Sequence, residues 1–132
     1  MTTMMRTYRG GCHCGDVKFE VDIDFDAQRV QECNCSMCSK KGILHAIVPP
    51  AQFRRLSSAD KLTTYTFNTG VAKHTFCTRC GIHSFYTPRS HPDHVDVNVR
   101  CLDGLDLGLI QIDRFDGQNW EQNVDSIRKE MS

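Results

Sequence analysis

The chain has 132 residues, enough for one domain with a buried core, and its 16 basic and 16 acidic side chains balance. No net field exists to drive sequence-independent binding to nucleic acid or to an anionic membrane surface. No stretch is long and uncharged enough to cross a bilayer, and residues 1–6 lack the apolar run of a signal peptide, so a soluble, cytoplasmic protein organised as a single domain over residues 1–132 is expected.

In chain order the predicted elements are mostly β. Cys12-His13-Cys14 comes first, and two cysteines at i and i+2 of a strand share a face, so both sulfurs can aim at one point near a strand end, helped by a local bend. Val17, Phe19 and Val21 then alternate with Lys18, Glu20 and Asp22, the period of a half-buried strand. Cys33, Cys35 and Cys38 follow, with Lys40 and Lys41 behind them as a solvated basic pair. Residues 43–48, 63–67, 73–76 and 84–87 are rich in β-branched or aromatic side chains, and Pro49-Pro50 stops the first of these runs. Asn68-Thr69-Gly70 fits a hairpin connection, with Gly70 free to take positive φ. Cys77-Thr78-Arg79-Cys80-Gly81 fits a metal knuckle, and Val95, Val97 and Val99 alternate with Asp96, Asn98 and Arg100 as a further strand. Trp120, Val124 and Ile127 predict a short C-terminal helix after Asp116-Gly117.

Seven of the 8 cysteines fall in those three clusters, and in a reducing compartment clustered thiols point to metal before disulfides. Cys12, Cys14, Cys77 and Cys80 together close one tetrahedral zinc that would tie distant strands, whereas Cys33, Cys35 and Cys38 leave a vertex free. One structural ion beside one reactive ion is the expectation. Cys101, His45, His74 or His83 can each serve as a fourth protein ligand to the trio, and a substrate thiol can serve instead. Cys101 otherwise reads as a small buried hydrophobe, His13 as packing within its cluster, and His91 and His94 as solvent-facing residues of a loop. Arg79, Arg89 and Arg100 are candidates for a substrate carboxylate, although each reads first as a surface residue. The Cys35-x-x-Cys38 spacing also admits a thiol-redox reading, which the added Cys33 and the absence of a βαβ context disfavour.

Gly10-Gly11-Cys12-His13-Cys14-Gly15-Asp16-Val17, the run from Cys33 to Gly42, and Phe76-Cys77-Thr78-Arg79-Cys80-Gly81 together resemble the glutathione-dependent formaldehyde-activating enzymes and the related centromere protein V domain. Tyr65-Thr66-Phe67-Asn68-Thr69, Ser84-Phe85-Tyr86-Thr87-Pro88-Arg89-Ser90 and Cys101-Leu102-Asp103 look especially like the centromere branch, and Asn34 stands where the namesake enzymes often have histidine. The resemblance implies a mainly β, Mss4-like fold with a zinc knuckle. It matches Cys12, Cys14, Cys77 and Cys80 to a structural zinc, and Cys33, Cys35 and Cys38 to a catalytic one. It also implies a carbon–sulfur lyase that condenses a small thiol such as glutathione with an aldehyde such as formaldehyde, resembling S-(hydroxymethyl)glutathione synthase. The competing implication is a non-catalytic zinc-stabilised interaction module with protein partners, like centromere protein V.

Overall fold

The computed structural model describes residues 5–119 together with Glu121 and Val124. Strand β1 (Arg6–Gly11) pairs antiparallel with β2 (Lys18–Ile23), and β2 pairs with β5 (Phe53–Arg55), making a three-stranded sheet. The predicted alternation holds: Val17, Phe19, Val21 and Ile23 are fully buried, while the side chains between them reach the outer face. Glu20 and Asp22 on that outer face form ion pairs with Arg54 on β5.

The inner face packs on a second sheet of five strands, β3 (Val30–Cys33), β4 (Leu44–Val48), β8 (Phe85–Tyr86), β9 (Val95–Asn98) and β10 (Ile112–Phe115), in the order β10-β3-β4-β9-β8. Phe19, Phe53 and Phe85 join the sheets, with centroid separations of 5.6, 4.8 and 5.5 Å around the triangle. Val30, Leu44, Ala46, Val48 and Val97 complete this core. The alternate residues of the same strands face the other way. Gln31, His45, Ile47, Tyr86 and Asp96 are buried there too, beneath a cavity rather than in the core. This corrects the half-buried reading of residues 95–99: Asp96 and Asn98 are as enclosed as the valines, because both faces of the sheet are covered. Strand β9 also ends earlier, and Val99–Cys101 turn away as one 3₁₀ turn.

Between β3 and β4 lies α1 (Ser36–Lys41), a helix that the sequence reading did not anticipate. Its polar letters carry no apolar stripe, and its ends are set locally: Cys35 Sγ accepts from the Cys38 backbone N–H at the N-cap, and Gly42 closes the other end at φ 67°. Strands β6 (Leu62–Tyr65) and β7 (His74–Cys77) form the expected hairpin, with Gly70 at φ 71° and Asn68 also left-handed at φ 52°. Lys73 and Thr87 exchange backbone hydrogen bonds that tie this hairpin to β8. The C-terminal stripe lies in part outside the described residues, since Trp120 and Ile127 are not among them. Glu121 and Val124 are helical, and Val124 is buried.

Candidate active site

The four-cysteine group assembles from two distant segments. Cys12 and Cys14 lie in the bend just after β1 rather than along a strand, while Cys77 ends β7 and Cys80 follows in a tight turn. Their sulfurs lie within 4.8 Å of one another, with Cys12–Cys14 and Cys14–Cys77 both at 3.6 Å. Ligands about 2.3 Å from a tetrahedral zinc must stand about 3.8 Å apart, so the donor set suits such an ion. Backbone N–H groups of Arg79 and Cys80 both donate to Cys77 Sγ at 3.4 Å, and the Cys80 amide holds that thiol below its ordinary value. Gly81 sits at φ 78°, donating its N–H to Cys77 O and reversing the chain, which is knuckle geometry. The group lies where the three-stranded sheet meets the β6–β7 hairpin.

Cys33, Cys35 and Cys38 converge separately: β3 ends on Cys33, Cys35 caps α1, and Cys38 lies in its first turn. Among the described residues, the set that closes within 4.8 Å here is these three sulfurs alone. None of the four proposed protein ligands completes it. Cys101 instead lies near the other group, its Sγ 3.8 Å from His83 O, and burial pushes its thiol up. Contact among the trio divides its protons unevenly. Cys35 is held far below an ordinary thiol by Cys33 and Cys38, whereas Cys33 is pushed up to about 11 by Cys35, and Cys38 is driven higher still by Cys33. Three sulfurs this close ionise together only beside a cation, which is the donor chemistry of a soft divalent metal.

The trio lies at one side of a cavity of about 450 Å³. Because β10 runs parallel to β3, with Phe115 opposite Cys33, both strands leave the sheet at the same end. Residues 116–119 are thereby laid against the trio. Gly117 packs so closely there that a Cβ would overlap Cys33 Sγ and stand 2.9 Å from Cys35 Cβ. Asn34 bolts this loop in place, donating from Nδ2 to Asp116 Oδ1 at 3.1 Å and accepting from the Gln118 N–H at 3.0 Å. The far wall is aromatic. Tyr65, Phe67, His74 and Tyr86 stack in succession at 5.7, 5.4 and 4.9 Å, from the exposed hairpin down to the sheet. Lys41 departs from its solvated reading: Nζ lies 2.9 Å from His74 Nδ1 and 4.1 Å from the Tyr86 ring centroid. Burial lowers the Lys41 ammonium and holds His74 at about 4, so the lysine donates to a neutral imidazole.

A family model described as glutathione-dependent formaldehyde-activating enzyme matches residues 7–113. The chain belongs to that family. A solved crystal structure of a Rhodobacter sphaeroides protein is similar at 36% identity and a TM-score of 0.71, over 81% of this chain and 99% of that one. The mainly β, Mss4-like architecture implied by the motifs is the one found, and in this member of the glutathione-dependent formaldehyde-activating family the two cysteine groups occupy separate places.

The other candidates divide clearly. Arg89 lines the cavity, while Arg79 lies outside it, 4.0 Å from Asp16, and Arg100 is exposed elsewhere. His13 is exposed rather than packed, and His91 is buried rather than solvent-facing. His45 reaches the cavity but as the partner of Asp96, at 2.7 Å, and not as a ligand of the trio. Sequence reasoning missed Gly117, Asp96, Tyr86 and the fastening role of Asn34. The available signal was Asp96, an acid inside a strand whose neighbours are valines.

Proposed function

We propose that this chain is a carbon–sulfur lyase that joins a small thiol, glutathione or one like it, to an aldehyde such as formaldehyde, with Cys33, Cys35 and Cys38 as the catalytic metal ligands and Cys12, Cys14, Cys77 and Cys80 as the structural set. The observation that carries the reading is the inequality of the two groups: four thiols closing on one another at a sheet junction, and three beside a cavity with no fourth protein donor among the described residues. Zinc held by the three sulfurs would supply a vertex at which a thiol is stabilised as its thiolate.

The chain's own residues do the remaining work. The cavity holds both reactants within reach of each other, converting a bimolecular addition into a local one. Phe67 and Tyr86 give it apolar walls that limit water, and Arg89 offers a guanidinium that suits the carboxylates of a glutathione-like molecule. Gly117 and Asn34 keep the trio open on one side by fixing the loop that flanks it. We assign the activity to one cytoplasmic domain over residues 1–132, with no nucleic acid or membrane needed; among the described residues no helix is long and apolar enough to cross a bilayer.

Proton NMR of formaldehyde mixed with glutathione reports their exchange directly. The chain is expected to accelerate it, and a Cys35→Ser variant that stays folded is expected to lose that acceleration with one equivalent of metal. No acceleration by the intact protein would reject this reading and favour the zinc-stabilised interaction module.

A further inference from the structure

Two buried polar atoms on the cavity side of the five-stranded sheet have no hydrogen-bond partner among the described residues: His45 Nε2 and Asp96 Oδ1. Both residues line the cavity, although they are only 4% and 1% exposed. Enclosed groups of this kind are costly to leave unsatisfied, and a cavity is where such a cost finds its partner. Their remaining atoms are fixed. His45 Nδ1 lies 2.7 Å from Asp96 Oδ2 and 3.4 Å from Tyr86 Oη. With Nδ1–H donating to the carboxylate, Nε2 is left as the ring atom that can take up a proton.

Strand register brings this ring near the trio. His45 stands opposite Gln31, and Cys33 lies two residues farther along β3 on the same face. Diagonal neighbours on a shared face are about 7–8 Å apart, a span that a small thiol and an aldehyde can occupy. The other candidates in the cavity are occupied or unsuited. His74, which lines the cavity, has its Nδ1 engaged by Lys41 Nζ at 2.9 Å, and burial pushes the Tyr86 phenol well above its ordinary value, which keeps it a neutral donor.

We infer that His45, oriented by Asp96, is the catalytic residue that carries the proton in the thiol–aldehyde addition, an assignment that rests on the functional reading above. In that addition the S–H bond breaks, the carbon–sulfur bond forms, and the carbonyl π pair moves to oxygen. Nε2 takes the proton that the thiol loses and returns it to that oxygen, giving the hydroxyl of the adduct. The reverse path cleaves the adduct, and no oxidant, reductant or further reactant enters. Asp96 Oδ2, 2.7 Å from Nδ1, holds the ring in one tautomer and one orientation.

The test compares wild type, His45→Gln, His45→Ala and Asp96→Asn in the formaldehyde–glutathione exchange experiment, with glutathione affinity measured by calorimetry and folding by near-ultraviolet circular dichroism. His45→Gln is expected to slow exchange about 100-fold, and Asp96→Asn about tenfold or more, with glutathione affinity changed less than about threefold. Added imidazole should restore part of the rate to His45→Ala, a recovery that a purely structural histidine would not show. In wild-type protein the ¹⁵N resonance of His45 Nε2 is expected to move on saturation with glutathione. An active wild type with an equally active, folded His45→Gln overturns this assignment alone, and so does an unmoved Nε2 resonance if the variants fail to fold. A wild type that accelerates nothing removes the functional reading and this assignment together.

Discussion

Gly117→Ala places a methyl group where Cys33 Sγ already lies, with Cys35 Cβ at 2.9 Å and the Cys35 backbone nitrogen at 3.3 Å. Retreat is restricted on both sides. Asn34 holds Asp116 and the Gln118 N–H, and Cys35 is the cap of α1, so moving either contact disturbs the end of a strand or of a helix. Overpacking of this kind costs about 1–3 kcal/mol, and the lower entropy of an unfolded alanine returns about 0.4–1 kcal/mol, leaving a net loss of at most about 2.6 kcal/mol. The site should suffer more than the core, because the displaced atom is one of the three sulfurs. Cobalt titration separates the two effects, since thiolate-to-cobalt charge-transfer absorption reports each group as it fills. The four-cysteine group should fill as in wild type, and the trio should bind about tenfold more weakly or worse, which corresponds to about 1.4 kcal/mol of lost site geometry. Urea denaturation supplies the stability difference. Wild-type stability together with wild-type affinity at both groups would refute the claim that Gly117 is small because the trio lies against it.

Cys12→Ala should destabilise the whole chain and expose the β6–β7 hairpin to protease, whereas Cys35→Ser should release one metal equivalent with the core intact; equal damage from both would defeat the division of roles. Asn34→Ala removes two hydrogen bonds that hold an exposed loop and should cost about 1 kcal/mol in urea denaturation, with weaker metal retention at the trio. Arg54, with help from Thr7, holds the Asp22 carboxyl at about 2, below its ordinary 3.8. The folded form therefore binds that proton less readily than the unfolded form, so this contribution is complete above about pH 4 and is lost as pH falls toward 2. Acid titration of Arg54→Ala should show a shallower loss of stability across that window, and an unchanged slope would remove the pair from the account. Phe19→Ala opens the aromatic triangle between the sheets and should cost about 3–5 kcal/mol, measured by urea denaturation.

The cysteine groups were legible because their spacing is local: C-x-C, C-x-x-C and C-x-C-x-x-C can each be judged from a few adjacent residues, and the pairing of Cys12 and Cys14 with Cys77 and Cys80, expected from the count of four thiols, is the one the fold brings together. Strand β2 was legible for a similar reason, since one of its faces meets the core and the other meets water. The reading failed where both faces are covered. In β9, Asp96 looked like an outward acid because the valine alternation marks one buried face and carries no information about what covers the other. Helix α1 was invisible because it is six residues long and is fixed by a sulfur cap and a following glycine instead of an apolar stripe. Gly117 was hidden by topology. Its Asp116-Gly117 dipeptide reads as an ordinary turn until the parallel pairing of β10 with β3 delivers that turn to Cys33.

The two-sided burial of the five-stranded sheet has a consequence for how members of this family can diverge. On β4 and β9, Leu44, Ala46, Val48 and Val97 face the neighbouring sheet, while His45, Ile47 and Asp96 face the cavity. The core packing and the cavity lining are thus written in alternate letters of the same two strands. Changes confined to positions 45, 47 and 96 can reshape what the cavity accepts without touching the packing between sheets, and changes at 44, 46, 48 and 97 do the reverse. A one-residue insertion in either strand would exchange the two sets at once, so drift along these strands is restricted to substitution.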